Sequence, residues 1–382
     1  MNNGKMVCAV LTIALAAASL PGEVEQVFAA TKKKIALCMV TQSAERWLND
    51  AANMKMILDD KGYMVDAYFA KNDPIEQVNQ VEQCIDKEYD CLVIAPVDSA
   101  VLTKVEEKAK EEGIPIIAYD RLLMNTDAVS YYATFDNREI GRQIGQYIRD
   151  NKDLEAAQST GETYNIEFFM GSPDDNNAVF MYNGIMDILQ EYLDDGTLVC
   201  RSGKTSFVDT CILRWSRETA KENCEELLKK YYSEGETLDI VCSAYDGFAY
   251  GVREALMDAE YIPGSENWPM ITGQDADVKA IRNIIEGSQT MTIYKDTRVL
   301  ADKCAKMVDA VLRGTEPEIN DTEQYNNGKC SVPTYMCTTV AVDKSNYQEA
   351  LLDSEYYSKI ELGISGQEIT RVRGHGSHVG IG

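Results

Sequence analysis

The chain has 382 residues, of which 45% are hydrophobic and 26% are charged, so it is long enough for two globular domains and is not of the disordered class. Its 62 acidic and 37 basic residues give a formal net charge of -25. This balance argues against nucleic acids and anionic membranes as partners, because phosphate contact needs a basic surface.

The first 30 residues have the pattern of a signal peptide. Lys5 precedes an apolar stretch from Met6 to Leu20, and Val27-Phe28-Ala29 offers small residues for cleavage. The alternative is a retained anchor, although the stretch is shorter than the roughly 20 apolar residues that span a bilayer. Cys8 lacks the run of small residues that precedes a lipidated cysteine, so a lipoprotein is not expected. We therefore expect an exported protein of the periplasm or cell envelope.

Strands and helices alternate from Lys34 onwards. The apolar runs predict strands at 35–40, 64–70, 91–95, 115–119, 129–135, 165–170, 198–201, 239–243 and 269–272. Helices are expected at 45–61, after the capping pair Asp73-Pro74 and at 139–149, with a surface loop at 150–162. Such alternation predicts parallel sheets, and the strands are too many for one compact sheet. Two doubly wound α/β domains are therefore expected.

Polar clusters follow five of these strands. They are Tyr119-Asp120-Arg121, Thr134-Phe135-Asp136-Asn137, Gly171 to Asn177, Ser243 to Gly247 and Thr272-Gly273-Gln274-Asp275. In an open parallel sheet, ligands bind beyond the carboxyl ends of the strands. Five such ends predict one polar pocket for a hydroxyl-rich ligand.

The 11 cysteines do not form a recognisable framework. Cys38, Cys91 and Cys242 lie in apolar runs, and no pair has C-x-x-C spacing, so neither a zinc site nor a redox motif is indicated. Disulfides between Cys84 and Cys91 and between Cys330 and Cys337 are neither predicted nor excluded by the sequence. Most of the cysteines are expected to be free thiols. His375 and His378 in the Gly-rich tail 363–382 are a poor metal ligand set, so the tail is expected to be disordered.

The sequence motifs at the strand ends resemble those of a known protein family. The chain resembles the periplasmic sugar-binding proteins of bacterial ABC importers, within them the D-xylose-binding and multiple-monosaccharide-binding group. The resemblance runs from about Lys34 to about Leu362. Its matching stretches are Glu45-Arg46-Trp47, Ala118 to Arg121, Ala133 to Asn137, Gly171 to Ala178, Leu213-Arg214-Trp215, Tyr245-Asp246-Gly247, Gly273 to Asp277 and Ile293-Tyr294-Lys295.

The resemblance implies the fold of a type I periplasmic binding protein, with two α/β lobes, a hinge of three crossings and a ligand cleft between the lobes. On this basis residues 32–136 plus 276–317 form the N-terminal lobe. Residues 137–275 plus 318–362 form the C-terminal lobe. The tail 363–382 has no counterpart in the resemblance.

The implied ligand is a monosaccharide, whose hydroxyls suit planar carboxylates, amides and guanidiniums and whose C–H faces suit aromatic rings. The candidate ligand-binding residues are Arg46, Trp47, Asp120, Arg121, Asp136, Asn137, Asn177, Trp215, Asp246, Asp275 and Lys295. Several have other interpretations: Asp136 and Asn137 as helix caps, Trp47 as a core residue, Asp120 and Arg121 as a mutual pair, and Lys295 on a solvated face. Asp174 and Asp175 are assigned to capping.

The expected function is a non-catalytic receptor that captures xylose, glucose or a similar aldose and delivers it to an ABC importer permease. No cofactor is expected, since the sequence has no phosphate-binding glycine loop, nucleophile elbow or metal triad. The alternatives are a sugar-acting enzyme, a transcription regulator with the same core, and a sensor that presents its sugar to a chemotaxis receptor or sensor kinase. The signal segment and the acidic charge oppose the regulator.

Overall fold

The computed structural model describes residues 32–364, so the expected signal peptide and nearly all of the tail lie outside the described residues. The strands are β1 (Lys34–Met39), β2 (Met64–Phe69), β3 (Cys91–Ile94), β4 (Ile116–Tyr119), β5 (Val129–Phe135), β6 (Tyr164–Phe169), β7 (Leu198–Val199), β8 (Ile240–Ser243), β9 (Met270–Ile271), β10 (Met291–Lys295), β11 (Thr334–Cys337) and β12 (Thr339–Asp343).

The helices surround these strands, and within residues 32–364 none is both long and apolar enough to cross a membrane. They are α1 (Glu45–Asp60), α2 (Pro74–Asp86), α3 (Thr103–Glu111), α4 (Asn137–Asn151), α5 (Leu154–Thr160), α6 (Asn176–Asp194), α7 (Phe207–Thr210), α8 (Arg217–Tyr231), α9 (Asp246–Asp258), α10 (Val278–Glu286) and α11 (Thr297–Arg313).

The first lobe is built on a six-stranded parallel sheet in the order β2-β1-β3-β4-β5-β11. Its inner strands β1, β3 and β4 are buried on both faces; in β1, for example, Ile35 and Leu37 belong to one apolar cluster, and Ala36 and Cys38 to another. Apolar runs without alternation are typical of parallel strands covered by helices on both sides. The expected α/β fold is thus confirmed for this lobe.

The second lobe contains a four-stranded parallel sheet in the order β7-β6-β8-β9. β10 lies beside β9, since Gln274 forms a parallel bridge with Ile293 and the Thr290 amide donates to the Ile271 carbonyl at 2.9 Å. β10 then pairs with β12 in antiparallel orientation. β10, β11 and β12 were not predicted from the sequence.

Three chain crossings join the lobes, and their positions correct the predicted boundaries. The chain leaves the first sheet after β5, and it returns after β10, because α11 packs on α1 and β5 of the first lobe. It crosses again between β11 in the first sheet and β12 beside β10. Strand pairing therefore moves the later crossings from 275 and 317 to about 296 and 338.

Two further details concern local structure. The segment 150–162, predicted as a surface loop, contains α5, which Asp153 caps at its start and Gly161 ends with a positive φ of 79°. Polar residues on its exposed side hid a short helix that buries only Leu154 and Ala157. The ten cysteines of the described residues are free thiols, as expected.

Candidate functional site

A cleft of about 1170 Å³ lies between the lobes, beyond the carboxyl ends of their strands. Residues from both lobes line it, which is the arrangement that an open parallel sheet predicts. Nine of the eleven candidate residues are among them, namely Arg46, Trp47, Asp120, Arg121, Asn137, Asn177, Trp215, Asp275 and Lys295.

Arg46, in the first turn of α1, is at the centre of the charged groups. Its guanidinium forms an ion pair with Asp120 of the same lobe, and it lies 3.5 Å from the Asp50 carboxylate. Its Nη1 is 3.8 Å from Asp275 Oδ1 of the second lobe. Its buried Nε has no hydrogen-bond partner in the protein. The guanidinium therefore links acids of both lobes at the cleft.

Asp275 and Lys295 complete this group on the side of the second lobe. Lys295 Nζ lies 2.7 Å from Asp275 Oδ1, and both side chains are nearly buried. The backbone at Asp275 and Ala276 has positive φ values of 101° and 54°. This unusual backbone presents the Asp275 carboxylate toward Arg46. Lys295 is thus buried at the cleft and does not lie on a solvated surface.

Neighbouring cations and burial have opposite effects on the pKa values of the aspartates beside Arg46. Burial alone would raise the pKa of Asp120, but Arg46, Lys295 and Arg121 outweigh it and hold that pKa below its ordinary value. For Asp50, burial prevails over the attraction of Arg46 and raises the pKa to about 7. Asp120 is therefore a charged acceptor for hydroxyl groups at neutral pH.

Arg121 and Asp175 form a second ionic pair across the cleft. Arg121 Nε lies 2.9 Å from Asp175 Oδ2, so the pair joins the first lobe to the second. The alternative interpretation, in which Asp120 and Arg121 pair only with each other, is therefore wrong. Asp175 caps α6 by accepting from the Asn177 amide, and it also accepts from Trp215 Nε1 at 3.3 Å. Capping was expected for Asp175, and its place in the cleft was missed.

The two tryptophans have different surroundings. Trp47 is buried, with the guanidiniums of Arg46 and Arg121 centred 4.5 and 5.5 Å from its ring. Trp215 is stacked on Phe248 at 5.7 Å, and its ring lies where a Cβ on Gly171 would come within 2.1 Å. Only glycine at position 171 allows this approach. Trp215 thus forms a fixed wall, and Trp47 orients the two arginines.

Asn137 and Asn177 line the cleft, but their amides already have partners. Asn137 Nδ2 donates to the Phe135 carbonyl at 3.1 Å. Asn177 Nδ2 donates to the Asp120 carbonyl at 2.7 Å, and its Oδ1 accepts from Tyr132 OH at 3.1 Å. Asn177 therefore holds Asp120 in place from the opposite lobe and has one amide hydrogen left for a ligand.

Asp136 and Asp246 do not line the cleft, which corrects two of the candidate assignments. Asp136 is the N-cap of α4 and accepts from the Glu139 amide at 3.0 Å, as its alternative interpretation held. Asp246 is fully buried behind the 273–277 loop. It accepts from Gln289 Nε2 at 2.8 Å, the Asp277 amide at 3.0 Å and Thr292 Oγ1 at 3.1 Å. Asp246 follows a strand, as the predicted ligand-binding acids do. Its side chain, however, points into the interior of the second lobe and not into the cleft.

Comparisons with known proteins agree with this architecture. The family model described as "Periplasmic binding protein domain" matches residues 35–316. This chain belongs to that family. It is 41% identical over 335 residues to the multiple sugar-binding periplasmic receptor ChvE of Rhizobium radiobacter, covering 88% of this chain and 94% of that one. It is 31% identical to the D-xylose-binding periplasmic protein of Escherichia coli, with coverage of 87% and 93%.

Solved structures of the family lead to the same fold. A solute-binding protein of an ABC transporter from Clostridium phytofermentans, with bound β-D-glucose, superimposes with a TM-score of 0.82. It is 44% identical in sequence and covers 86% of this chain and all of that chain. The resemblance drawn from the strand-end motifs and the type I fold are thereby confirmed.

Proposed function

We propose that this protein is an exported substrate-binding protein that captures a monosaccharide, namely xylose, glucose or a similar aldose, and delivers it to an ABC importer permease. The observation that carries the proposal is the convergence of charged groups of both lobes in one cleft. The first lobe supplies Arg46, Asp120 and Arg121, and the second supplies Asp175 and Asp275.

This arrangement suits a ring with hydroxyls around its edge. Asp120 and Asp275 are acceptors, and the Arg46 and Arg121 guanidiniums that line the cleft are donors. Hydrogen bonds to charged groups contribute roughly 1.5–3 kcal/mol each, so four or five of them offset the desolvation of the sugar and the cost of closure. The wall formed by Trp215 excludes water from a C–H face of the ring.

The relatives support a sugar as the ligand. The two relatives described above are named for multiple sugars and for D-xylose, and the solved structure with 44% identity holds β-D-glucose. We extend this ligand class to the present chain because its cleft carries the acids and guanidiniums that hydroxyl groups require. Export to the periplasm or cell envelope and transfer to a permease belong to the same proposal, as does the absence of catalysis.

Titration calorimetry of the purified protein with xylose, glucose, galactose and arabinose tests the proposal. We expect at least one aldose to bind and to raise the melting temperature. Recovery of the bound sugar distinguishes a receptor from an enzyme: the sugar should be released unchanged. Absence of binding to every aldose would contradict the ligand class, and turnover of the sugar would contradict the receptor function.

A further inference from the structure

A second set of contacts joins the lobes beyond the central charged groups. The loop 95–99, which follows β3 of the first lobe, meets the loop after β6 and the segment before α8 in the second lobe. Arg214 Nη1 donates to the Val97 carbonyl at 3.0 Å, and the Ser99 amide donates to the Asp174 carbonyl at 3.0 Å. We infer that Arg214 is a positioning residue that holds the lobes closed and thereby slows release of the ligand. This inference rests on the proposed function.

The half of this contact in the second lobe is held by contacts within that lobe. Arg214 forms an ion pair with Asp174 at 2.6 Å, and its backbone amide donates to Ser172 Oγ at 2.8 Å. Its φ of 57° lies in the left-handed region, which is uncommon for a residue other than glycine. These contacts aim the guanidinium at the first lobe, so little side-chain entropy is lost on closure.

The half in the first lobe is equally fixed. Buried Gln77 donates to the Ala95 carbonyl at 2.8 Å, and its Oε1 accepts from the Val97 amide at 2.7 Å. This pair of hydrogen bonds anchors the loop to α2. The Val97 carbonyl therefore points at a definite position, and Arg214 reaches it only when the lobes approach one another.

The contact between Arg214 and Val97 lies away from the hinge in both sheets. The crossings follow β5 and β11 in the first lobe, and β3 lies two strands from β5. In the second lobe the crossing follows β10, and β6 is separated from it by β8 and β9. A contact away from the hinge is broken early when the lobes open. It therefore stabilises the closed state relative to the open state.

Arg201 provides a matched control within the same lobe. Its side chain is 33% exposed against 31% for Arg214, and it pairs with Glu236 at 2.7 Å. It also donates to a backbone carbonyl, that of Tyr231, at 3.3 Å. All of its partners belong to the second lobe, whereas Arg214 reaches the first.

The test compares Arg214→Ala, Arg214→Lys and Arg201→Ala with the wild type by stopped-flow binding of several aldoses. We expect Arg214→Ala to accelerate release by about tenfold for every aldose, with an unchanged association rate. The release rate of Arg214→Lys should lie between those of the wild type and Arg214→Ala. Lysine keeps the positive charge but lacks the forked guanidinium that contacts Asp174 and Val97 together. Arg201→Ala should release at the wild-type rate. Unchanged release from Arg214→Ala, or a loss confined to one sugar, would overturn the inference.

A second measurement separates this inference from the proposed function. Spin labels on the two lobes report the closed fraction by the distance between them. We expect Arg214→Ala, but not Arg201→Ala, to lower that fraction in the ligand-free protein and at subsaturating sugar. A wild type that binds no aldose would contradict the proposed function alone. Equal closed fractions in the wild type and Arg214→Ala would overturn the role of Arg214.

Discussion

Each lobe places a Tyr-Asp pair at the carboxyl end of a buried strand, and the two aspartates have opposite surroundings. Asp120 of the first lobe faces the cleft among three cations, which hold its pKa below the ordinary value against the effect of burial. Asp246 of the second lobe is fully buried, and burial, with Asp277 and Asp275 nearby, raises its pKa well above the ordinary value. The Asp120 carboxylate faces the cleft, and the Asp246 carboxylate supports the loop that carries Asp275.

This difference shows that a strand-end acid has no fixed role. In Tyr119-Asp120-Arg121 the next residue adds a guanidinium on the cleft side, whereas Asp246 begins α9 and is followed by Gly247 in the first turn of that helix. Gly273 passes so close to Asp246 that a Cβ there would lie 2.1 Å from the carboxylate. The loop 273–277 is thus packed over Asp246 and shields it from the cleft.

The largest expected effect belongs to Asp120→Asn. The substitution removes the charged acceptor opposite Arg46, so sugar affinity should fall by about 100-fold, equivalent to about 2.8 kcal/mol. Calorimetry at pH 7 measures this loss. Asp127→Asn is the control, because Asp127 forms an exposed ion pair with Lys110 in the same lobe. Equal affinities of Asp120→Asn and Asp127→Asn would remove Asp120 from the site.

Asp246→Asn should have a smaller effect on binding and a clear effect on the fold. Asparagine offers one acceptor oxygen where three donors converge, so a buried donor is left unpaired at a cost of about 1–3 kcal/mol of unfolding free energy. Affinity should fall by tenfold at most, through the displaced Asp275 loop. Urea unfolding and calorimetry on one preparation measure both. A loss of affinity as large as that of Asp120→Asn, with normal stability, would make the two acids equivalent.

The raised pKa values predict how stability depends on pH. Burial raises the pKa of Asp277 to about 6 and that of Asp50 to about 7. Between about pH 4 and pH 7 the native state therefore binds more protons than the unfolded state, whose Asp pKa is about 3.9. The unfolding free energy of the ligand-free protein should decrease as pH rises through this window.

Urea unfolding from pH 4 to pH 8 checks this slope. Asp50→Asn cannot ionise, so its stability should vary less with pH and exceed that of the wild type at pH 8. Below pH 4 the lowered pKa of Asp120 acts in the opposite direction, since its protonation in the native state removes the attraction of Arg46. A wild-type stability that rises steadily from pH 4 to pH 7 would contradict the raised pKa values.

The smallest effect is expected for Asp136→Ala. Loss of an N-cap costs about 1 kcal/mol of unfolding free energy, and the sugar affinity should stay at the wild-type value because Asp136 does not line the cleft. Asp73→Ala, at the start of α2, provides the same cap loss far from the crossings. A fall in affinity for Asp136→Ala alone would show that the hinge residue influences the site.

Much of the architecture followed from patterns that act over a few residues. Apolar runs such as Ile35 to Val40 must be covered on both faces, and the structure confirms the parallel strands predicted from them. The late strands β10, β11 and β12 escaped prediction because the partners that order them lie in other parts of the chain. The crossings near 296 and 338 depend on those partners and were misplaced for the same reason.

The order of residues along the chain determined which acids, amides and guanidiniums follow the strands, and so that a polar cleft would form. Only tertiary structure decided which of them reach that cleft. Asp175 both caps a helix and pairs with Arg121, while Asp246 turns away from the cleft beneath Gly273. The physical reason is that a local pattern fixes the position of a side chain on its own strand or helix. Its charge, burial and partners depend on segments more than a hundred residues away in some cases, such as Arg214 and Val97, which are 117 apart.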